Sequence, residues 1–293
     1  MKLSVLVQCY NHEPYLEEAV RSVYAQDLTG TEVIVVDDGS SDNSAELLKR
    51  LHEELGFELI LQQNRGFIPT LNELLQKARG EYLCLLAGDD FYPEGKFSQQ
   101  VEYLDSHPEC SVLLGNSLVV GSDSKVLRKQ NQLFVIENDR ELSFEEVFLG
   151  HRRVGGASSM FRKSALQEIN AFPPDVLVED LWAWLKLLSG GHRIVWLNRN
   201  WAYYRLHDSN INQRSLLMQE KILEILGEYR DHPLFERAMR FWKSAFFSQL
   251  AINDKRWALN HFFHYFSLHP HFLIGCLKLI FPAKLFRKLR KQW

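Results

Sequence analysis

The feature that most constrains this chain is an alternation over its first ninety residues. Short β-branched runs take turns with segments of helical periodicity, the pattern of a parallel sheet covered by helices. Leu3 to Val7, Val33 to Val36, Leu59 to Leu61 and Tyr82 to Leu86 read as strands. Between the first two, Leu16, Ala19, Val20 and Val23 recur at helical spacing behind Pro14, a residue suited to a first turn. Between the third and fourth, Pro69 opens a helix with Leu71, Leu74, Leu75 and Ala78 on one face, and Gly80 is placed to end it. A helix with Phe97, Val101 and Leu104 and a strand from Val112 to Val120 follow. The signal then weakens to about Phe148. It returns with a Gly- and Ser-rich stretch from Val154 to Phe161, a helix from Leu181 to Leu188, and two strands, Ile194 to Leu197 and Trp201 to Arg205. From Ser215 onward every pattern is helical, with aromatic faces such as Phe241, Trp242, Phe246 and Phe247. The expected organisation is an α/β domain over residues 1–213 and a helical region over 214–293.

Composition bounds the function. With 46% hydrophobic and 24% charged residues the chain is globular, and a net charge of −3 argues against nucleic acid as a partner. Cys9, Cys84, Cys110 and Cys276 form no CxxC pair and no zinc spacing, so reduced, cytosolic thiols are expected. The apolar run at the N-terminus ends after five residues, at Gln8, too short for a secretory signal. Phe272 to Phe281 is broken by Lys278 and stopped by Pro282, short of the ~20 residues of a membrane span. Leu277 to Trp293 holds Lys278, Lys284, Arg287, Lys288, Arg290 and Lys291 with no acid. As a helix, the segment after Pro282 would place Leu285, Phe286, Leu289 and Trp293 on one face, the layout of a helix lying on an anionic membrane surface or of one docked on the chain's own helical region.

In open parallel sheets ligands sit beyond the carboxyl ends of the strands. Here those ends are polar: Gln8-Cys9-Tyr10-Asn11, Asp37-Asp38-Gly39-Ser40 and Gly88-Asp89-Asp90. Either acidic pair alone could be a turn or a helix cap. Two at neighbouring strand ends point to a cation among them, or to hydrogen bonds from sugar or base donors, and a divalent ion with a nucleotide diphosphate meets both conditions. Neither GxGxxG nor GxxxxGK[ST] follows any strand, which disfavours dehydrogenases and P-loop NTPases.

As a set, these residues resemble an inverting family 2 glycosyltransferase of GT-A fold, of the bacterial surface polysaccharide type. The resemblance is carried by Ser4 to Asn11, Val33 to Ser40, Asn64-Arg65-Gly66 with Asn72, Gly80 to Asp90, and Glu179 to Leu187, in that order over roughly residues 1–210. It implies a Rossmann-like, mostly parallel sheet flanked by helices, with residues 214–293 as a C-terminal helical extension. By the same resemblance Asp38 contacts the nucleobase, Gln8 and Tyr10 flank and stack on it, and Arg65 joins the nucleotide pocket. Asp89 contacts the ribose, Asp90 binds a divalent metal, Mg²⁺ or Mn²⁺, and Asp180 is the catalytic base. The commoner family motif has an acid where this chain has Ala87, which leaves the metal more dependent on diphosphate and water. His207 stands where relatives often have a histidine near the diphosphate, and reads either as a further metal ligand or as a histidine hydrogen-bonded at a strand end. Arg205 either neutralises phosphate or pairs with an acid. Gly155 and Gly156, with Ser158 and Ser159, form either an acceptor-side loop or a plain connection, and Glu179 is a further candidate on the acceptor side.

The chemistry expected from these parts is transfer of a sugar from a UDP- or dTDP-sugar to an acceptor hydroxyl, with Asp180 taking the proton and the anomeric carbon inverting. A saccharide or lipid-linked saccharide acceptor and a place on the inner face of the cytoplasmic membrane follow from family analogy. Two rivals remain at this point. A sugar nucleotidyltransferase would be expected to begin with a Gly-rich basic loop, and Gln8-Cys9-Tyr10-Asn11 has neither Gly nor Lys. A non-catalytic nucleotide- or sugar-binding module would not be expected to keep Asp38, Asp90 and Asp180 together.

Overall fold

The computed structural model describes residues 1–127, 134–151, 154–170, 172–207 and 215–280. The basic segment 283–293, with its expected amphipathic face, lies outside them. Among the described residues the order is β1 (Leu3–Cys9), α1 (Glu13–Tyr24), β2 (Thr31–Asp37), α2 (Ser44–Leu55), β3 (Glu58–Leu61), α3 (Phe67–Lys77), β4 (Tyr82–Ala87), α4 (Lys96–Ser106), β5 (Cys110–Val120), β6 (Arg140–Glu141), α5 (Phe144–Phe148), β7 (Met160–Arg162), α6 (Lys163–Glu168), α7 (Glu179–Ser189), β8 (Arg193–Arg205), α8 (Ser215–Gly227), α9 (Phe235–Asn253), α10 (Lys255–Asn260) and α11 (Pro270–Ile280). The chain divides into two compact units, residues 1–144 with 153–213, and residues 145–152 with 214–293.

The first unit is built on one sheet of order β3-β2-β1-β4-β7-β5-β8-β6. Strands β3, β2, β1 and β4 are mutually parallel, β7 is antiparallel to both β4 and β5, and β5 and β8 are parallel. Every residue of β1 is buried, as a central strand covered on both faces requires. Leu16, Ala19, Val20 and Val23 of α1 fill one side of the sheet together with Leu48 and Leu51 of α2. Because β7 runs against β4, the loop 154–159 that precedes it emerges at the same edge as the carboxyl end of β4. Fully buried Lys96 fastens that loop from below: its Nζ donates to Ser159 O at 3.5 Å and to Cys84 Sγ at 3.3 Å.

Three local expectations are corrected. Ile194 to Leu197 and Trp201 to Arg205 are not two strands but one thirteen-residue strand. The polar Asn198-Arg199-Asn200 between them is a register irregularity against Asn116, whose Nδ2 donates to Asn198 Oδ1 at 2.9 Å. Helix α3 begins at Phe67, two residues before Pro69. Gly80 does not end α3, which stops at Lys77. It lies against the backbone of β1, where any Cβ would collide with Ser4 N.

The second unit packs helices around a stack of aromatic rings. Phe247 stacks on Phe272 at 4.5 Å and on Tyr265 at 6.3 Å, and Trp242 Nε1 donates to Phe148 O at 3.0 Å.

Candidate active site

Beyond the ends of β1 and β2 the chain turns sharply, and the turns are held by each other. Asn11 adopts a φ of 56°, and its Oδ1 accepts from Ser41 N at 2.7 Å, while its own N–H donates to Ser40 Oγ at 2.8 Å. Asp37 accepts from Ser40 N and Oγ, so of the Asp37-Asp38 pair the first serves the turn. Asp38 does something different. Its Oδ1 accepts from Arg65 N at 2.9 Å and Gln62 Nε2 at 2.7 Å, and its Oδ2 from Gly66 N at 2.9 Å. It therefore fixes the Asn64-Arg65-Gly66 loop beside the strand ends. The Arg65 side chain is largely exposed and paired with Glu73 at 2.9 Å. Gln8 is buried, with Nε2 donating to Phe67 O at 3.0 Å and Oε1 buried without a partner, a stored acceptor at the mouth of this corner. Tyr10 is exposed, its ring available for stacking.

The end of β4 carries the second group. Asp89 accepts from His207 Nε2 at 2.9 Å, and His12 Nε2 lies 3.8 Å away. Burial works to raise the Asp89 carboxyl, but the His207 hydrogen bond and the nearby imidazoles carry it below its ordinary value. Asp90 is pushed well above the carboxylate range by burial and by the charge of Asp89, against the N–H that Arg205 donates to its Oδ1 at 2.8 Å. The Arg205 side chain is buried. Its Nε donates to Asp89 O at 2.7 Å, Nη1 to Ser124 Oγ at 2.9 Å and Nη2 to Glu18 Oε2 at 2.6 Å, and its Cζ lies 4.7 Å from the Tyr15 ring centroid and 5.2 Å from that of Phe91. The phosphate alternative for Arg205 is thus corrected: it braces the acidic loop and pairs with an acid.

The third group is the start of α7. Asp180 Oδ2 accepts from Gly156 N at 3.2 Å and Oδ1 from Leu181 N at 2.6 Å. Solvent still reaches Glu179 and Asp180, yet the protein around them desolvates both. Burial raises Asp180 to about 6, opposed by the Leu181 and Gly156 N–H groups, and burial with the Asp180 charge raises Glu179 to about 8. A Cβ on Gly156 would stand 3.3 Å from Asp180 Cβ, and one on Gly155 3.2 Å from Phe134, so this loop passes close to its neighbours. Trp184 Nε1 donating to Val154 O and Trp184 stacked on Phe161 anchor α7 to β7.

His12, just before α1, and Tyr15 and Glu18 of α1 line the Asp89–Arg205 side, and no sequence motif marks them. Only the three-residue spacing of Tyr15 and Glu18 on one helix face could have drawn attention to them.

The carboxylates of Asp89 and Asp90 with the His207 imidazole are oxygen and nitrogen donors of the kind that Mg²⁺ or Mn²⁺ accepts. Among the described residues no three His, Cys, Asp or Glu side chains are grouped to hold an ion by themselves. The set fits a metal whose shell a ligand's oxygens complete.

Comparison with known proteins places this arrangement. A sequence model described as Glycosyl transferase family 2 matches residues 4–169, more than half of the chain. The chain belongs to this family. It is 28% identical over 217 residues to an uncharacterized glycosyltransferase of Nostoc sp., a match covering 72% of this chain and 66% of that one. It is 27% identical over 194 residues to the poly-β-1,6-N-acetyl-D-glucosamine synthase of Staphylococcus aureus, covering 66% of this chain and 47% of the synthase. The chain thus spans between about half and two thirds of these relatives' lengths. Among solved structures it is similar to S. aureus TarS 1–349 in complex with UDP-GlcNAc, with a TM-score of 0.66, 22% identity and coverage of 94% of this chain and 79% of that one. It is also similar to the mannosyltransferase PcManGT of Pyrobaculum calidifontis in complex with GDP-Man and Mn²⁺, with a TM-score of 0.63, 17% identity and coverage of 98% and 87%. The fold is the GT-A arrangement expected from the resemblance.

Proposed function

We propose that this protein is a glycosyltransferase that moves a sugar from a UDP- or dTDP-sugar to a saccharide or lipid-linked saccharide hydroxyl, with inversion, in the synthesis of a bacterial surface polysaccharide or glycolipid. The observation that carries the reading is the supply of acids to one edge of the sheet. Asp38 and Asp89-Asp90 stand beyond parallel strands, and Asp180 is tied to the Gly156 loop that emerges beside β4. Residues 1–213 are assigned to the transfer reaction and 214–293 to a helical region, to which the structure adds residues 145–152.

In this reading Asp38, held in place by the Arg65 and Gly66 N–H groups, accepts from the base through its remaining lone pairs, with Gln8 Oε1 and the Tyr10 ring beside it. Asp89 receives the ribose hydroxyls. Asp90, with His207, would hold a divalent metal, which when bound neutralises charge growing on the departing diphosphate. Asp180 takes the acceptor's proton: an alcohol does not ionise at neutral pH, and a carboxylate whose pKa is raised towards neutrality is a better base than an ordinary one. Gly155 and Gly156 leave room for an acceptor to approach that carboxylate, and Glu179, protonated at neutral pH, can donate a hydrogen bond to it. The S. aureus relatives named for a UDP-GlcNAc complex and for an N-acetylglucosamine polymer support a uridine donor and a polysaccharide product.

No described helix is long and apolar enough to cross a membrane. A peripheral place on the inner face of the cytoplasmic membrane, held through the basic C-terminal segment, is therefore proposed with the function. The test is release of nucleoside diphosphate from a panel of UDP-, dTDP- and GDP-sugars with oligosaccharide acceptors. UDP- or dTDP-sugars are expected to turn over with inverted anomeric configuration in the product, and release from GDP-sugars alone would overturn the donor assignment.

A further inference from the structure

Helix α11 is built inside out for a helix facing water. Its inner face is locked: Phe272 stacks on Phe247, and Gly275 lies so close to the Phe247 ring that a Cβ there would collide with it. The helix cannot roll to hide its other side. On that other side Leu273, Leu277 and Ile280, spaced for one stripe, are exposed, Ile280 by 74%. A solvent-facing stripe would ordinarily carry the lysine. Here the one lysine of α11, Lys278, donates from Nζ to Ser248 Oγ at 2.8 Å and Ser248 O at 3.1 Å, against α9. The segment leading into α11 shows the same inversion, with Phe263 exposed by 90% and Leu268 by 81%.

Charge says what covers this surface. Residues 255–293 contain eight Lys and Arg and no Asp or Glu, whereas residues 1–254 contain 26 basic and 37 acidic residues. A second copy of the chain docking isologously would set one cationic segment against another. A phospholipid surface with anionic headgroups offers apolar depth for the stripe and negative charge for the flanks. We propose that the exposed apolar face of α11, with Phe263 and Leu268 ahead of it, is inserted into the headgroup and upper acyl zone of an anionic bilayer. The inference rests on the peripheral placement proposed above and assigns to this face a share of the binding that the basic charges alone do not supply.

The test is co-sedimentation of the full chain with phosphatidylcholine vesicles made with and without phosphatidylglycerol, alongside the variant F263K/L277K. Both side chains are exposed, so the fold should tolerate the change, and circular dichroism with nucleotide release in vesicle-free buffer confirms that it does. The wild type is expected to sediment with the anionic vesicles, and the variant to lose about tenfold in partition although it gains two positive charges. Binding by the variant that equals or exceeds the wild type would show attraction by charge alone and overturn the insertion. No binding by the wild type would overturn the peripheral placement itself. Light scattering showing a wild-type dimer that the variant breaks would assign the face to a second copy instead.

Discussion

The two acidic pairs, Asp89-Asp90 and Glu179-Asp180, are the same kind of dipeptide held in different ways. The first is gripped from the end of β8: His207 on Asp89 Oδ2, the Arg205 N–H on Asp90 Oδ1 and the Arg205 side chain on the Asp89 carbonyl. The second is held at Asp180 by two backbone N–H groups, and desolvation raises both its carboxyls. A pair gripped by a histidine and an arginine is a fixed binding feature. Burial lifts a carboxyl in each pair, Asp90 in the first and both in the second, so it is the hold that differs: the proposal gives the proton to Asp180, which two amides orient and, among the described residues, no cation or imidazole grips.

Substitutions should separate the two. The largest effect is expected from Asp180→Asn, which should lower kcat by about 10²–10⁴-fold, the usual worth of a general base, while calorimetry finds nucleotide affinity within about twofold of wild type. Asp90→Asn should lower kcat/KM by about two orders of magnitude and, unlike the first, abolish the enhancement of donor binding by Mn²⁺. Excess EDTA should stop the wild type. If both variants lost nucleotide binding equally, the division between a binding pair and a proton-accepting pair would fail.

The pH profile sharpens the same contrast. A base at Asp180, as proposed, must be deprotonated, and its pKa is raised, so activity should be lost on the acid side. The kcat/KM profile should fall about tenfold per unit below pH 6 and level off above it. Glu179→Gln should leave that limb in place, because burial, rather than the Glu179 charge, lifts Asp180. The smallest effect is expected from Gly156→Ala. Its Cβ would press on Asp180 at 3.3 Å, shifting the carboxylate by a few tenths of an ångström and lowering kcat by about fivefold with donor KM unchanged.

The strands and the acids behind them could be read from the chain because their signals are local. Val33 to Val36 followed by Asp37-Asp38-Gly39-Ser40 announces a buried strand and a turn within eight residues. The roles of the acids depend on partners far along the chain. Nothing near Asp38 says that its carboxylate would hold the amides of Arg65 and Gly66, and nothing near Arg205 points to Glu18, 187 positions away. Within β8, Asn198-Arg199-Asn200 has the look of a loop between two strands until Asn116 and Asp139 supply hydrogen bonds across the sheet and beside it. Local pattern reports elements, and polar partners are reported only by closure of the fold.

Arg205 gives this a consequence in time. A ribosome has made β1 to β4, and with them Asp38 and the Asp89-Asp90 loop, more than a hundred residues before it reaches position 205. Until then the acidic loop lacks its brace, Asp90 lacks the amide on its Oδ1, and Glu18 lacks its guanidinium. A nascent chain can thus possess the four parallel strands of its sheet while the acidic corner behind them is still unbraced, and the corner sets only when the last long strand is threaded beside β5.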